Sequence, residues 1–83
     1  MELKLKNLEQ ISGCLPSQWR GESHKGEYIY IRGDKEELCI QIANNKEDWN
    51  KDNFDTVFFI KINGDYSVMD TCEMLKVTGL QFN

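Results

Sequence analysis

The stretch "YIYIRGDKEELCIQI", Tyr28–Ile42, decides how this chain folds. Tyr28, Tyr30 and Arg32 fall on one side of an extended backbone and Ile29 and Ile31 on the other, the period of two that a strand imposes. "ELCIQIA" repeats the pattern, with Leu38, Ile40 and Ile42 facing one way and Cys39, Gln41 and Ala43 the other. "GDKE" between them is polar and opens on glycine, so the stretch predicts two antiparallel strands joined by a turn. Arg32-Gly33-Asp34 is also a tripeptide that some cell-surface receptors read. Three widely spaced cysteines, Cys14, Cys39 and Cys72, and no visible signal peptide place the chain in a reducing cytoplasm. Turn chemistry therefore accounts better for Gly33 and Asp34 than receptor recognition does.

Towards the N-terminus, "HKGE" (24–27) is a turn and "SQWRGES" (17–23) is extended. "NLEQISG" (7–13), with Asn7 as N-cap, Leu8 and Ile11 three apart and Gly13 as terminator, predicts one or two turns of helix. "MELKLK" (1–6) alternates leucine with charge and predicts a short edge strand. Towards the C-terminus, "NNKEDWNKDNFD" (44–55) reads as a long acidic loop with room for a helical turn, pinned by Trp49 and Phe54. "TVFFIKI" (56–62) predicts a central strand and "NGD" (63–65) a turn. "DTCEMLKVTG" (70–79), with Asp70 and Glu73 at capping-box spacing and Gly79 as the stop, predicts a second helix. "LQF" (80–82) then finishes as a strand beside "LKL" (3–5).

The expected architecture is α+β: one small domain over residues 1–83, a four- or five-stranded antiparallel β-sheet (meander), and two short helices mainly on one face.

A net charge of -4 and a pI near 4.9 disfavour direct nucleic acid binding, which depends on clustered Lys and Arg. They suit a partner protein with a basic surface. No apolar run of 18 residues is present, so no membrane association is expected.

Few residues of the chain stand in a pattern that carries chemistry. His24, the single histidine, sits in a turn, and the cysteines are best explained by packing, with Cys39 and Cys72 expected to be buried. Asp48, Asn50 and Asp52 match the first, third and fifth positions of an EF-hand loop, but Asn53 and Phe59 stand where glycine and glutamate belong. No phosphate-cradling glycine loop occurs. The expectation is a protein that is not an enzyme, with no catalytic residue, metal or cofactor. Candidate partner-binding residues are Tyr28, Tyr30 and Arg32, because tyrosine and arginine bury large area and still hydrogen-bond; they would serve equally as a second core layer beneath a helix. Around them an acidic tip of Asp34, Glu36 and Glu37, together with Glu47 and Asp48 beside Trp49, and with Asp52 and Asp55, forms a negative rim if hairpin and loop converge.

"CLPSQWRGES", "GEYIYIR" and "GDYSVMDTCEMLKVTGLQF" together resemble small proteins of bacteriophages and other mobile elements. Those proteins carry a C-P-x-Q-W-x-G segment, a Tyr-Ile-Arg strand and a closing M-(S/D)-x-x-E-M-L-x-x-T-G-L helix. The match runs through Cys14, Pro16, Gln18, Trp19, Gly21 and Gly26, then Tyr28 to Arg32, then Met69, Asp70, Glu73 to Leu75 and Thr78 to Leu80, about half the chain. Leu15 is an extra residue, and "GDKEEL" replaces a Tyr-Arg-Trp-Gly turn. The resemblance implies a genomic setting more than an activity. Taken with the small size, the acidic balance and the lack of a catalytic constellation, that setting makes the leading expectation a stoichiometric inhibitor of a host defence factor (anti-CRISPR-like) in the cytoplasm of a bacterial host. The alternatives are an immunity protein or antitoxin, or a small phage structural or regulatory subunit that self-associates as a homodimer through an exposed edge such as Leu3–Leu5.

Overall fold

The computed structural model describes residues 3–83, leaving aside the side chains of residues 62–64. Along the chain come β1 (Lys4–Gly13), β2 (Ser17–Ser23), β3 (Tyr28–Ala43), α1 (Lys46–Asn50), β4 (Asp55–Asp65), α2 (Thr71–Thr78) and β5 (Gln81–Phe82). The strands form one sheet in the order β4-β3-β2-β1-β5. Neighbours β1 to β4 are antiparallel, a meander, and β5 closes the far side parallel to β1, with Lys4 opposite Gln81 and Leu5 opposite Phe82. The fold is α+β as expected, but the sheet is mixed rather than wholly antiparallel.

β3 is one unbroken 16-residue run in hydrogen-bonding terms, yet it does not run straight. A straight strand of that length would measure about 50 Å, and the longest dimension of the molecule is 31 Å. Tyr28–Gly33 pairs with β2, and Lys35–Ile42 pairs with β4. Tyr30 and Gln41, eleven residues apart, both touch Trp49. The chain therefore folds back around Glu36, whose φ of 68° is left-handed. The reversal preserves the inward side: Ile29 and Ile31 before it, and Leu38 and Ile40 after it, are all fully buried.

The helix expected over residues 7–13 is absent; that segment is the second half of β1. Its pairing with β2 slips between Leu5 and Asn7 and again between Gln10 and Ser12, making Lys6 and Ile11 extra residues. The bulge at Lys6 sets Leu5 and Leu8 three apart on the core side, whereas Ile11 is itself an extra residue and exposed, so the spacing of Leu8 and Ile11 only imitates a helical face. Asn7 caps nothing; its side chain bonds Glu22 across the pair at 3.0 Å. The expected first strand begins at Lys4, with Met1 and Glu2 outside the described residues. It is not an edge, because β5 covers it and Leu5 is fully buried.

β4, expected to be central, is the outermost strand, and it continues through Asp65 where a turn was expected. Val57 is an extra residue in its pairing with β3 and, like Phe59, stands about half exposed. A bulge and a lysine, Lys61, blunt this edge. Beyond it the chain crosses the reversal of β3: the Tyr66 N–H donates to the Asp34 carbonyl at 3.0 Å, and the Leu15 N–H donates to the Ser67 carbonyl at 2.8 Å.

α2 matches its sequence signals closely. The Asp70 carboxylate accepts from the Glu73 N–H at 2.8 Å, and Gly79, at φ 73°, closes the helix with its N–H on the Leu75 carbonyl. Met74, fully buried, meets Leu5, Trp19, Ile29, Ile31, Leu38 and Ile40 in the main core. α1 lies on the opposite, outer face of the sheet, so the two helices do not share a face as expected. Cys72 is exposed on α2 and Cys39 only half-buried, against the expected burial of both.

Candidate protein-contact face

The outer face is built by the residues that alternate with the core. Arg20 stands opposite Glu9 on β1 and Tyr30 on β3, and Gln18 stands opposite Arg32. The Tyr30 hydroxyl donates to the Gln18 Oε1 at 2.7 Å, and Arg20 pairs with Glu9 at 3.3 Å. These cross-strand contacts set a polar, aromatic surface on a rigid base.

Over that surface lies the segment Asn44–Phe54, most of the stretch 44–55 expected to be a loop with room for a helical turn. It contains α1 because the Asn45 side chain accepts the Asp48 N–H at 2.8 Å, while Glu47 and Asp48 sit in the positive first turn. Asparagine followed at three residues by aspartate was a cap signal legible beforehand. Trp49 drops onto the sheet, its ring 4.6 Å from that of Tyr30 and 5.6 Å from that of Tyr28 between centroids, with Phe54 at 6.5 Å. Its Nε1–H donates to the Gln41 Oε1 at 2.9 Å. Asp48 and Asn50 are thus in a helix rather than in a loop that could wrap a calcium ion. Among the described residues no three His, Cys, Asp or Glu side chains converge as metal ligands.

Tyr28, Tyr30 and Trp49 come together as one aromatic cluster. Of the two roles open to the tyrosines, Tyr30 takes the inner one: it is only 8% exposed beneath Trp49, whereas Tyr28 is half-buried and Arg32 exposed. Burial pushes both phenols above their ordinary pKa, with Arg20 pulling Tyr28, and Arg32 pulling Tyr30, part of the way back. Because the folded state resists their ionisation, this contribution is intact below the ordinary tyrosine range and lost as pH rises above it.

The hairpin and the long segment do converge. Tyr30, Arg32, Gln41, Trp49, Asp52 and Phe54 line one hollow of about 310 Å³. At the tip, Arg32 holds Asp34 at 2.9 Å and Lys61 lies 3.9 Å from Glu37, while Lys35 stands opposite Asp65 and Glu36 is exposed. A larger group of carboxylates lies on and beside the roof formed by Asn44–Phe54: Glu47, Asp48 and Asp52 within it and Asp55 at the start of β4 have only Lys46 and Lys51 near them in sequence, and none of the four joins an ion pair among the described residues.

No family model, curated protein or solved structure matches this chain. No helix among the described residues is long and apolar enough to cross a membrane.

Proposed function

We propose that this chain is a non-enzymatic binding protein whose outer face engages a basic surface on a partner protein. The observation that carries this is the roof: Glu47, Asp48 and Asp52, with Asp55 just beyond it at the start of β4, join no ion pair among the described residues, and they share a short stretch of chain with the half-buried Trp49 seated on the sheet. An aromatic anchor flanked by an excess of charge of one sign is an arrangement in which the ring supplies buried area and the charges steer and select a partner of opposite sign. The overall charge of -4 supports the same choice of partner. The concrete version, a stoichiometric blocker of a host defence factor of the anti-CRISPR kind, adds the resemblance to mobile-element proteins; an antitoxin would use the same face against a toxin.

The test is quantitative capture from a bacterial lysate with the whole chain as bait. Reversing Glu47→Lys and Asp48→Lys together is expected to cut recovery of the specific partner by about tenfold or more, because like charges set against each other across an interface are strongly disfavoured. Glu36→Lys, at the tip rather than on the roof, is expected to leave recovery unchanged. Equal recovery by wild type and the roof variant would remove the roof from the mechanism.

A further inference from the structure

We propose that Asn44–Phe54 is a latch, a segment that lifts from the sheet as a unit while the rest of the domain stays folded, and so uncovers Tyr28 and Tyr30. Four observations carry this. α1 has five residues and none of them is buried, whereas a helix that short does not hold its shape without tertiary support. That support is concentrated in Trp49, through its two ring contacts and its bond to Gln41, with Phe54 behind it. The margins of the roof are open: one surface cleft lies beside Asn45, Lys46 and Tyr28, and another beside Trp49, Phe54 and Tyr30. Finally, a left-handed residue, Asp52 at φ 61°, sits near the C-terminal end of the segment, where a change of backbone direction is localised. Segments with few buried apolar contacts open at a lower free energy than the core.

Lifting the roof changes what the face offers. Closed, it presents carboxylates around an edge of tryptophan; open, it presents two tyrosines beside Arg20 and Arg32. The latch as a motion is independent of any partner, and only its use in recognition rests on the function proposed above.

Native-state hydrogen exchange of the full chain tests it. The amides of Trp49, Lys51, Asp52 and Asn53 are all hydrogen-bonded within the segment. They are expected to exchange at least about a hundredfold faster than the core amides of Ile29, Ile31 and Ile40, as a sub-global opening requires. Trp49→Ala is expected to speed the roof amides by a further factor of about ten, and Trp49→Phe to give a smaller change; the core amides can speed by no more than the same factor, because global unfolding includes opening of the roof. Ile40→Val, in the core, is expected to speed the core amides by up to about tenfold while leaving the roof amides unchanged. Roof amides that exchange together with the core in the wild type, or that speed along with the core in Ile40→Val, would overturn the latch. Because the measurement needs no partner, that failure is separate from a failure of the contact face.

Discussion

Gly33→Ala is expected to destabilise the domain by about 3 kcal/mol, at the upper end of what overpacking a close-packed site costs. Gly33 sits in β3 without a positive φ, so alanine meets no backbone objection there and would by strand preference be mildly favoured. The objection is spatial. A methyl group at Gly33 would run into the Tyr66 carbonyl oxygen and the Ser17 Oγ. Neither yields easily: the buried Ser17 hydroxyl donates to that same carbonyl, and the Tyr66 N–H is bonded to Asp34. Relief would pull the crossing segment off the sheet and leave buried polar groups without partners. Gly26→Ala makes the control, since Gly26 has a left-handed φ of 83° and open space around it, and the expected cost is about 1 kcal/mol. Urea denaturation of both variants ranks them. Gly33→Ala as stable as wild type would mean that the crossing does not press on β3.

Trp19→Ala is expected to cost about 3–5 kcal/mol, the range for deleting a large buried aromatic side chain. Out of a total of roughly 5–15 kcal/mol for a small domain, that leaves the variant largely unfolded at moderate temperature. Trp19 is fully buried at the centre of the main core. It also spans three elements, because its Nε1–H donates to the Thr71 Oγ1 at 3.0 Å and Thr71 in turn donates to the Gln10 Oε1 at 3.3 Å. One side chain thus ties β2 to the start of α2 and to β1. Trp19→Phe keeps most of the volume and loses the bond, with an expected cost of about 1–2 kcal/mol. Circular dichroism during thermal unfolding reads both. A Trp19→Ala variant melting within a few degrees of wild type would contradict the placement of the core.

How far the sequence reached depended on whether each signal was local. α2 was legible end to end because a cap, an apolar spacing and a terminating glycine all lie within ten residues. The hairpin was legible because its two halves alternate strictly and the reversal preserves their inward sides. β1 was not, because its bulges are set by the partner strand and convert a period of two into a spacing of three. β4 was misplaced because apolar residues on both faces suit a central strand, whereas Val57 owes its exposure to a bulge and Phe59 to the edge. Gly33 was assigned to a turn, although its smallness serves a contact with Tyr66, 33 positions away, that no local pattern encodes. On the contact face, the grouping of Tyr28, Tyr30 and Arg32 on one side was visible, but the roof that buries Tyr30 depends on Trp49 reaching across from another segment. The cation beside Glu37 was hidden for a similar reason, because Lys61 comes from a neighbouring strand.

The claim that a partner sits on the roof is tested most directly by photocrosslinking in a bacterial lysate. A benzophenone amino acid replaces Glu47 on α1 in one sample and Lys76 on α2 in another; both positions are exposed and lie on opposite faces of the sheet. The expected result is one host protein captured in high yield from position 47, competed away by an excess of unlabelled wild type, and absent from position 76. Capture of that protein from position 76, or equal capture from both, would contradict the assignment of the outer face.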